Sequence, residues 1–275
     1  MLIAQLSDLH IVANGQKLYD FIDTNALLAR HIAFLNNLQE RPDAVVISGD
    51  IVDFGSVEAY RMASRLLRQL DYPVYLFPGN HDSNHELLQV LGEDFPYLGS
   101  DPEAIHYCVE DFPVRLICLD SSVAGQLYGC IGAQRLQWLE AALEEQPDQQ
   151  TVLFTHHHPL ASGCHHMDLI RCQDGAELLQ LLERFPQVSH LFCGHTHRVI
   201  FQQQNTLLIA TAPSVAHQVP FNTTDPNGFY SLEPPAMLMH RYTPETGLVS
   251  YVASLAPFDG PFRFESAAST PYGQE

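Results

Sequence analysis

Residues 2–10 read Leu2-Ile3-Ala4-Gln5-Leu6-Ser7-Asp8-Leu9-His10, an apolar run that ends in a carboxylate and an imidazole two positions apart. The run has the length of a buried strand. At a strand end, positions i and i+2 face the same way, so Asp8 and His10 can reach one ion. The pattern then recurs along the chain. Residues 44–47 precede Gly49-Asp50-Ile51-Val52-Asp53, and 74–77 precede Gly79-Asn80-His81-Asp82. Residues 152–154 precede His156-His157-His158, and 188–193 precede Gly194-His195-Thr196-His197. In an open α/β sheet, ligands bind in the crevice at the carboxyl ends of the strands. Five clusters at five strand ends therefore point at one place. Asp, Asn and His suit two divalent ions of the Fe, Mn, Zn or Co type rather than a thiolate-seeking ion.

Helical patterns fill the gaps. Thr24 or Asn25 is expected to cap a helix carrying Leu27, Leu28, Ile32, Leu35 and Leu38, which Pro42 stops. Ser56 caps a second, with Ala59, Met62, Ala63, Leu66 and Leu67 on one face, and residues 133–143 form another. Asp174-Gly175-Ala176-Glu177 has capping-box spacing and opens a helix through Leu182. The alternation predicts an α/β fold with helices covering the sheet faces. After His197 the texture changes. Residues 199–201 with 207–210, and 237–242 with 248–252, read as two hairpins separated by a Pro-, Asn- and Asp-rich loop over 213–235. The expected organisation is a catalytic unit over 1–197, to which 252–275 returns, and a β-rich region over 198–251.

Composition narrows the function. The net charge is −19, with only 13 Lys and Arg, which argues against a nucleic-acid duplex as partner. Six cysteines, none in a CxxC pair, read as buried thiols of a reducing compartment, so a cytoplasmic protein is expected. No basic leader and no apolar run near 18 residues is found, so neither export nor membrane spanning is expected.

The chemistry follows from the ligand types. Asp50 follows a buried strand and a glycine, and its two oxygens suit it to bridge two ions. Asn80 adds a neutral carbonyl oxygen, which leaves the site positive enough to attract an anion. Two ions about 3.5–4 Å apart clamp the attacking and leaving oxygens of a phosphoryl centre, and a bridging water with its pKa lowered toward about 7 supplies hydroxide. A lone Asp-x-His is common in loops. All five clusters in order, each after a strand, are not.

Asp8-x-His10, Gly49-Asp50-x-x-Asp53, Gly79-Asn80-His81-Asp82, His156 and Gly194-His195-x-His197 resemble the five motifs of the calcineurin-like metallophosphoesterases. Within that family the chain is similar to the bacterial class III cyclic-nucleotide phosphodiesterases and, more narrowly, to the hexameric glycerophosphodiesterases. The narrower resemblance rests on residues 17–25, on Arg41-Pro42-Asp43-Ala44-Val45-Val46 and on His217-Gln218-Val219-Pro220. The resemblance implies a four-layer αββα sandwich of two mixed sheets, with 198–251 as a cap that pairs subunits into a dimer or hexamer. It implies Asp8, His10, Asp50 and His197 on one ion, and Asp50, Asn80, His156 and His195 on the other. His81 would face the substrate phosphate as charge stabiliser or leaving-group acid.

In monoesterases of the same superfamily, an Asp at the Asp53 position supports the catalytic His and is followed by an Arg that grips the phosphate dianion. Phe54 stands there instead, which favours the singly charged diester. Asp53 is expected to raise the pKa of His81 and help it donate a proton. By resemblance and loop position, Tyr19, Phe21, Leu127, Tyr128 and His217 border the substrate. The expected activity is hydrolysis of small phosphodiesters, glycerophosphodiesters first, by a metal-bound hydroxide. The alternatives are a 3′,5′-cyclic nucleotide phosphodiesterase and a catalytically silent scaffold. The intact ligand set and His81 speak against the scaffold.

Overall fold

The computed structural model describes residues 1–103 and 105–255. In chain order, the first half runs β1 (Leu2–Leu6), α1 (Thr24–Asn36), β2 (Ala44–Ser48), α2 (Val57–Leu67), β3 (Val74–Phe77), α3 (Asn84–Leu91), β4 (Tyr107–Val109) and β5 (Arg115–Leu119). The second runs α4 (Gly132–Glu145), β6 (Thr151–Thr155), α5 (His165–Leu169), α6 (Gly175–Leu182), β7 (Val188–Cys193), β8 (Ile200–Gln204), β9 (Leu207–Thr211), β10 (Ala236–Thr243) and β11 (Gly247–Ser254).

The strands form two mixed sheets, ordered β11-β10-β1-β2-β3 and β4-β5-β6-β7-β9-β8. Strands β1, β2 and β3 run parallel, as do β5, β6, β7 and β9. Every residue of β2, β5 and β6 is buried, the pattern of strands covered on both faces. Leu28, Ile32 and Leu35 of α1, Tyr60 and Ala63 of α2 and Leu87 of α3 pack on the first sheet. Leu139 and Leu143 of α4 and Leu178 and Leu182 of α6 pack on the second. Phe154, Phe192 and Ala210 turn the other way and join the first sheet's core, so the layers are helix, sheet, sheet, helix.

A polar seam stitches the sheets together. Gln5 donates to Ser48 Oγ at 2.8 Å and to the Cys193 carbonyl at 3.2 Å. His240 Nε2 donates to Gln5 Oε1 at 3.0 Å, and its Nδ1 accepts from Ser250 Oγ at 2.8 Å. Phe192 stacks on the His240 ring at 3.9 Å. Burial, and then nearby His190, push the His240 pKa down to about 3, so the ring is neutral and the network is satisfied without charge.

Some expectations need correction. α1 is capped by Asp23, whose Oδ1 accepts from Ala26 N at 2.9 Å, and not by Thr24 or Asn25. Thr24 is already helical and buried, while Asn25 turns its amide to the Val12 carbonyl. Asp174 does not cap its own helix. Its carboxylate accepts from Ile131 N at 2.9 Å and Gly132 N at 2.7 Å, and so caps α4 instead. Both hairpins of 198–251 form, but they are built into the sandwich. β8 and β9 extend the second sheet, and β10 pairs directly with β1. The segment left to cover anything is the loop over 212–235. Of the expected return of the chain over 252–275, residues 252–254 complete β11 and 256–275 lie outside the described residues.

Asp174→Ala removes both acceptors from the start of α4. Loss of a cap of this kind costs about 1–2 kcal/mol, a fall of about 3–6 °C in Tm for a chain of this size. Thermal denaturation should show it, with Asp174→Asn less affected.

Candidate metal centre

The parallel strands of both sheets end side by side, and the ligand-type residues sit in the first turns beyond them. Five of these lie in the left-handed backbone region: Asp8 (φ 53°), His10 (46°), Asp50 (49°), His195 (67°) and His197 (48°). Non-glycine residues avoid that region unless their surroundings hold them there. Here the turns hold one another. Asp8 N donates to the Gly49 carbonyl at 3.1 Å, and His10 N to the Asp50 carbonyl at 3.0 Å. His195 N donates to the Asp8 carboxylate at 3.1 Å, and His81 N to Asp50 Oδ1 at 2.9 Å. Gly79 and Gly194 make room for this crossing of chains. A Cβ on Gly79 would stand 2.2 Å from Asp50 Oδ1, and one on Gly194 2.1 Å from Ser7 Oγ.

The side chains then converge on two adjoining points. Around the first, His197 Nε2 lies 3.1 Å from Asp8 Oδ1 and 3.1 Å from His10 Nε2, and His10 Nε2 lies 3.8 Å from Asp50 Oδ2. Around the second, His156 Nε2 lies 3.3 Å from the same Asp50 Oδ2 and 3.2 Å from Asn80 Oδ1. The His195 ring is 5.1 Å from that of His156, and its Nε2 is buried without a hydrogen-bond partner. Asp8, His10, Asp50 and His197 form one cluster of ion-holding composition and His156, His157 and His195 another, with Asp50 reaching the second through His156.

The proton inventory shows what fits there. His197 Nδ1 donates to the His217 carbonyl at 2.9 Å, His156 Nδ1 to the Ser48 carbonyl at 2.8 Å, and His10 Nδ1 to Asp53 Oδ1 at 3.1 Å. Each imidazole therefore turns its Nε2 inward, among carboxylate and amide oxygens. So many acceptors in one dry place call for cations. His156 registers the same demand. Burial disfavours its charge, but Asp50 and Asp8 outweigh burial and lift its pKa to about 9.

His81 stands at the cavity wall, with Nδ1 donating to the Asp53 carbonyl at 2.8 Å. Burial opposes its charge, but Asp50, the Asp53 carbonyl and the Asp53 carboxylate outweigh that and raise its pKa. The Asp53 carboxylate is nearer to His10 Nδ1, at 3.1 Å, than to His81 Nδ1, at 3.5 Å. It orients a ligand-type imidazole first, and His81 is oriented through the backbone. Asp82, not singled out by the sequence, accepts from Gly79 N, Ile51 N, Val52 N and Tyr60 Oη, and so ties the second and third turns together.

A cavity of about 370 Å³ opens over the centre. Tyr19, His81, Leu127 and His217 line it, whereas Phe21 and Tyr128 do not. Phe21 packs behind, against Tyr230 at 6.5 Å. The sequence reading missed His166 and Met167 of α5, and Gly228, Phe229 and Tyr230 of the covering loop. His157 is tethered by Ser121 Oγ at 2.8 Å and the Leu127 carbonyl at 3.2 Å, and so positions the Leu127 loop. His158 faces Asp168 at 3.5 Å.

Comparison with known proteins agrees with this geometry. The family model of the calcineurin-like phosphoesterases matches residues 1–199. A glycerophosphodiester phosphodiesterase, GpdQ, of Enterobacter lignolyticus is 45 % identical over 271 residues, covering 98 % of this chain and 97 % of that one. The 3′,5′-cyclic adenosine monophosphate phosphodiesterase CpdA of Escherichia coli is 29 % identical over 216 residues, 78 % of this chain and 76 % of that one. Among solved structures, a dimetal phosphatase from Danio rerio shares the fold with a TM-score of 0.64 at 19 % identity, over 92 % of this chain and 98 % of that one.

Gly79→Ala tests the packed turns. The added methyl would drive the Asp50 turn out of place at a cost above about 2 kcal/mol. Reduced metal content per folded chain, read by elemental analysis alongside circular dichroism, is the expected result.

Proposed function

The chain belongs to the calcineurin-like phosphoesterase family and is a phosphoric diester hydrolase, and we propose that its substrates are small diesters, above all glycerophosphodiesters. In this reading Asp8, His10, Asp50 and His197 hold one divalent ion, and Asp50, Asn80, His156 and His195 hold a second. Such ions neutralise phosphoryl oxygens and supply hydroxide at neutral pH. The protein's own groups do the rest. Asp50, at 3.8 Å from His10 and 3.3 Å from His156, keeps the two ligand groups in register. Asp53 holds the His10 ring with its lone pair inward. His81, with a raised pKa and a face on the cavity, is placed to give a proton to the leaving alkoxide.

One observation carries the preference for diesters. Among the described residues, no Lys or Arg lines the cavity. A monoester dianion would find no guanidinium or ammonium beyond the ions, whereas a diester monoanion needs none. Phe54, next to Asp53 and 83 % exposed, brings no positive charge of its own. The match along nearly the whole length of a glycerophosphodiester phosphodiesterase, against a shorter one for cyclic-nucleotide enzymes, supports the choice of diester.

Assembly into a dimer or larger oligomer belongs to the same reading. β11 is an outer strand with Tyr251 and Val252 more than half exposed, and β8, at the edge of the second sheet, exposes Phe201. Sheet edges beyond which no further described strand lies are normally covered. No described helix is long and apolar enough to cross a membrane. The six free thiols support a reducing, cytoplasmic setting.

Elemental analysis should find about two transition-metal ions per chain. Asp50→Ala should retain fewer and lose more than about 100-fold in kcat/KM. A fully active Asp50→Ala protein would sink the assignment.

Bis(p-nitrophenyl) phosphate should be hydrolysed with a higher kcat/KM than p-nitrophenyl phosphate. Equal values would refute the diester preference. Light scattering at micromolar concentration should report a multiple of the 30.8 kDa chain mass, and a single-chain mass would refute assembly.

A further inference from the structure

The mouth of the cavity is built from aromatic faces. Tyr19 comes from the loop after β1, and Phe229 and Tyr230 come from the covering loop. Tyr19 and Tyr230 stack at 4.5 Å with 18° between their planes, and both set an edge to His217, at 5.6 and 5.4 Å. Tyr19, Phe229 and Tyr230 nevertheless stay 47 %, 47 % and 43 % exposed. Aromatic surface left open inside a concave site marks a place where something binds.

The backbone holds this arrangement under strain. Tyr19 and Asp20 are consecutive non-glycine residues with φ of 50° and 66°. Two such residues in a row cost free energy, and the turn they make is what carries Tyr19 to the cavity. On the other side, a Cβ at Gly228 would stand 2.6 Å from His166 Nε2, so the covering loop lies directly on α5.

The chemistry of the lining selects the ligand. Among the described residues no Lys or Arg faces the cavity, so an anionic substituent would find no cationic side chain there. Away from the ion-holding groups, His81 and His217, the polar side-chain groups of the lining are His166 and the tyrosine hydroxyls. A nucleobase would leave most of its edge unpaired. The inner faces of Tyr19 and Tyr230 are closed on each other, which leaves their outer faces and that of Phe229. A quaternary ammonium has no donors to satisfy and is attracted to aromatic faces and to a polarisable thioether such as Met167. The net charge of −19 adds a favourable field for a cation.

We propose that Tyr19, Phe229 and Tyr230 form a specificity site for the alcohol substituent of the diester, and that it selects a choline-type quaternary ammonium. This rests on the glycerophosphodiester reading above and names the headgroup within it. Tyr230 is the determinant, because it meets Tyr19, Phe21 and His217 at once.

The test compares glycerophosphocholine with its uncharged isostere, the 3,3-dimethylbutyl ester of glycerophosphate, which has the same shape without the charge. Metal-loaded wild type should prefer the choline ester by about fivefold or more in kcat/KM. Tyr230→Phe should keep that ratio, while Tyr230→Leu and Phe229→Leu should each bring it down, with the ratio near one when both are changed. Circular dichroism and metal content confirm that each variant is folded and loaded. A wild-type ratio within twofold of one, or a ratio that survives both leucines, overturns the proposal while leaving the diesterase reading intact. If bis(p-nitrophenyl) phosphate is turned over and neither glycerophosphodiester is, the glycerophosphodiester reading fails. The ratio of the two compounds' inhibition constants against the bis ester then decides the cation site by the same thresholds.

Discussion

The centre depends on how three imidazoles are held from behind. His10, His156 and His197 each donate from Nδ1 to a carboxylate or carbonyl behind them. Their Nε2 atoms have nowhere to point but inward, at one another and at Asp8 and Asp50. Repulsion among acceptors in a buried space is costly, and bound cations turn it into attraction. The back-side partners are therefore as much a part of the site as the inward atoms. Two of them, the carbonyls of Ser48 and His217, are backbone groups that no substitution can remove directly.

The fold supplies the rigidity this arrangement needs. Parallel strands from two sheets stop at a common edge, and the turns beyond them brace one another through main-chain bonds. The left-handed conformations at five ligand positions are affordable because neighbouring turns enforce them. Beneath the site, the seam of Gln5, Ser48, His240 and Phe192 fixes one sheet against the other, so the two halves of the ligand set cannot drift apart.

Much of this was legible in the sequence, because a strand followed by a ligand is a local pattern. β1, β2, β3, β6 and β7 stand where the apolar runs placed them, and the ligand-type residues meet. β5 was passed over although residues 116–119 are an apolar run, because none of the five ligand clusters follows it; it opens on the charged Arg115. That side chain is buried and neutralised by Glu110 and by a carbonyl of α4. Asp174 has the spacing of a cap, but spacing cannot say which helix a carboxylate faces. Tyr19 and Phe21 look equivalent in a string of letters, yet a strained turn sends one into the cavity and leaves the other behind it. Tyr230 sits in a loop with no periodicity, and its place over the site is set by packing alone.

The pairing of β1 with β10 also governs the order in which the molecule can be completed. Leu2 lies opposite Arg241, so β1 waits with a bare edge until β10 is made. Asp8, at the end of that strand, closes on the His195 amide, 187 positions further on. Contacts of such long range are slow to form and leave the emerging chain exposed to misassembly. An ion held by the whole group can therefore be captured only once His197 has been made. It would lock together turns far apart along the chain, at a point that no one of them builds alone.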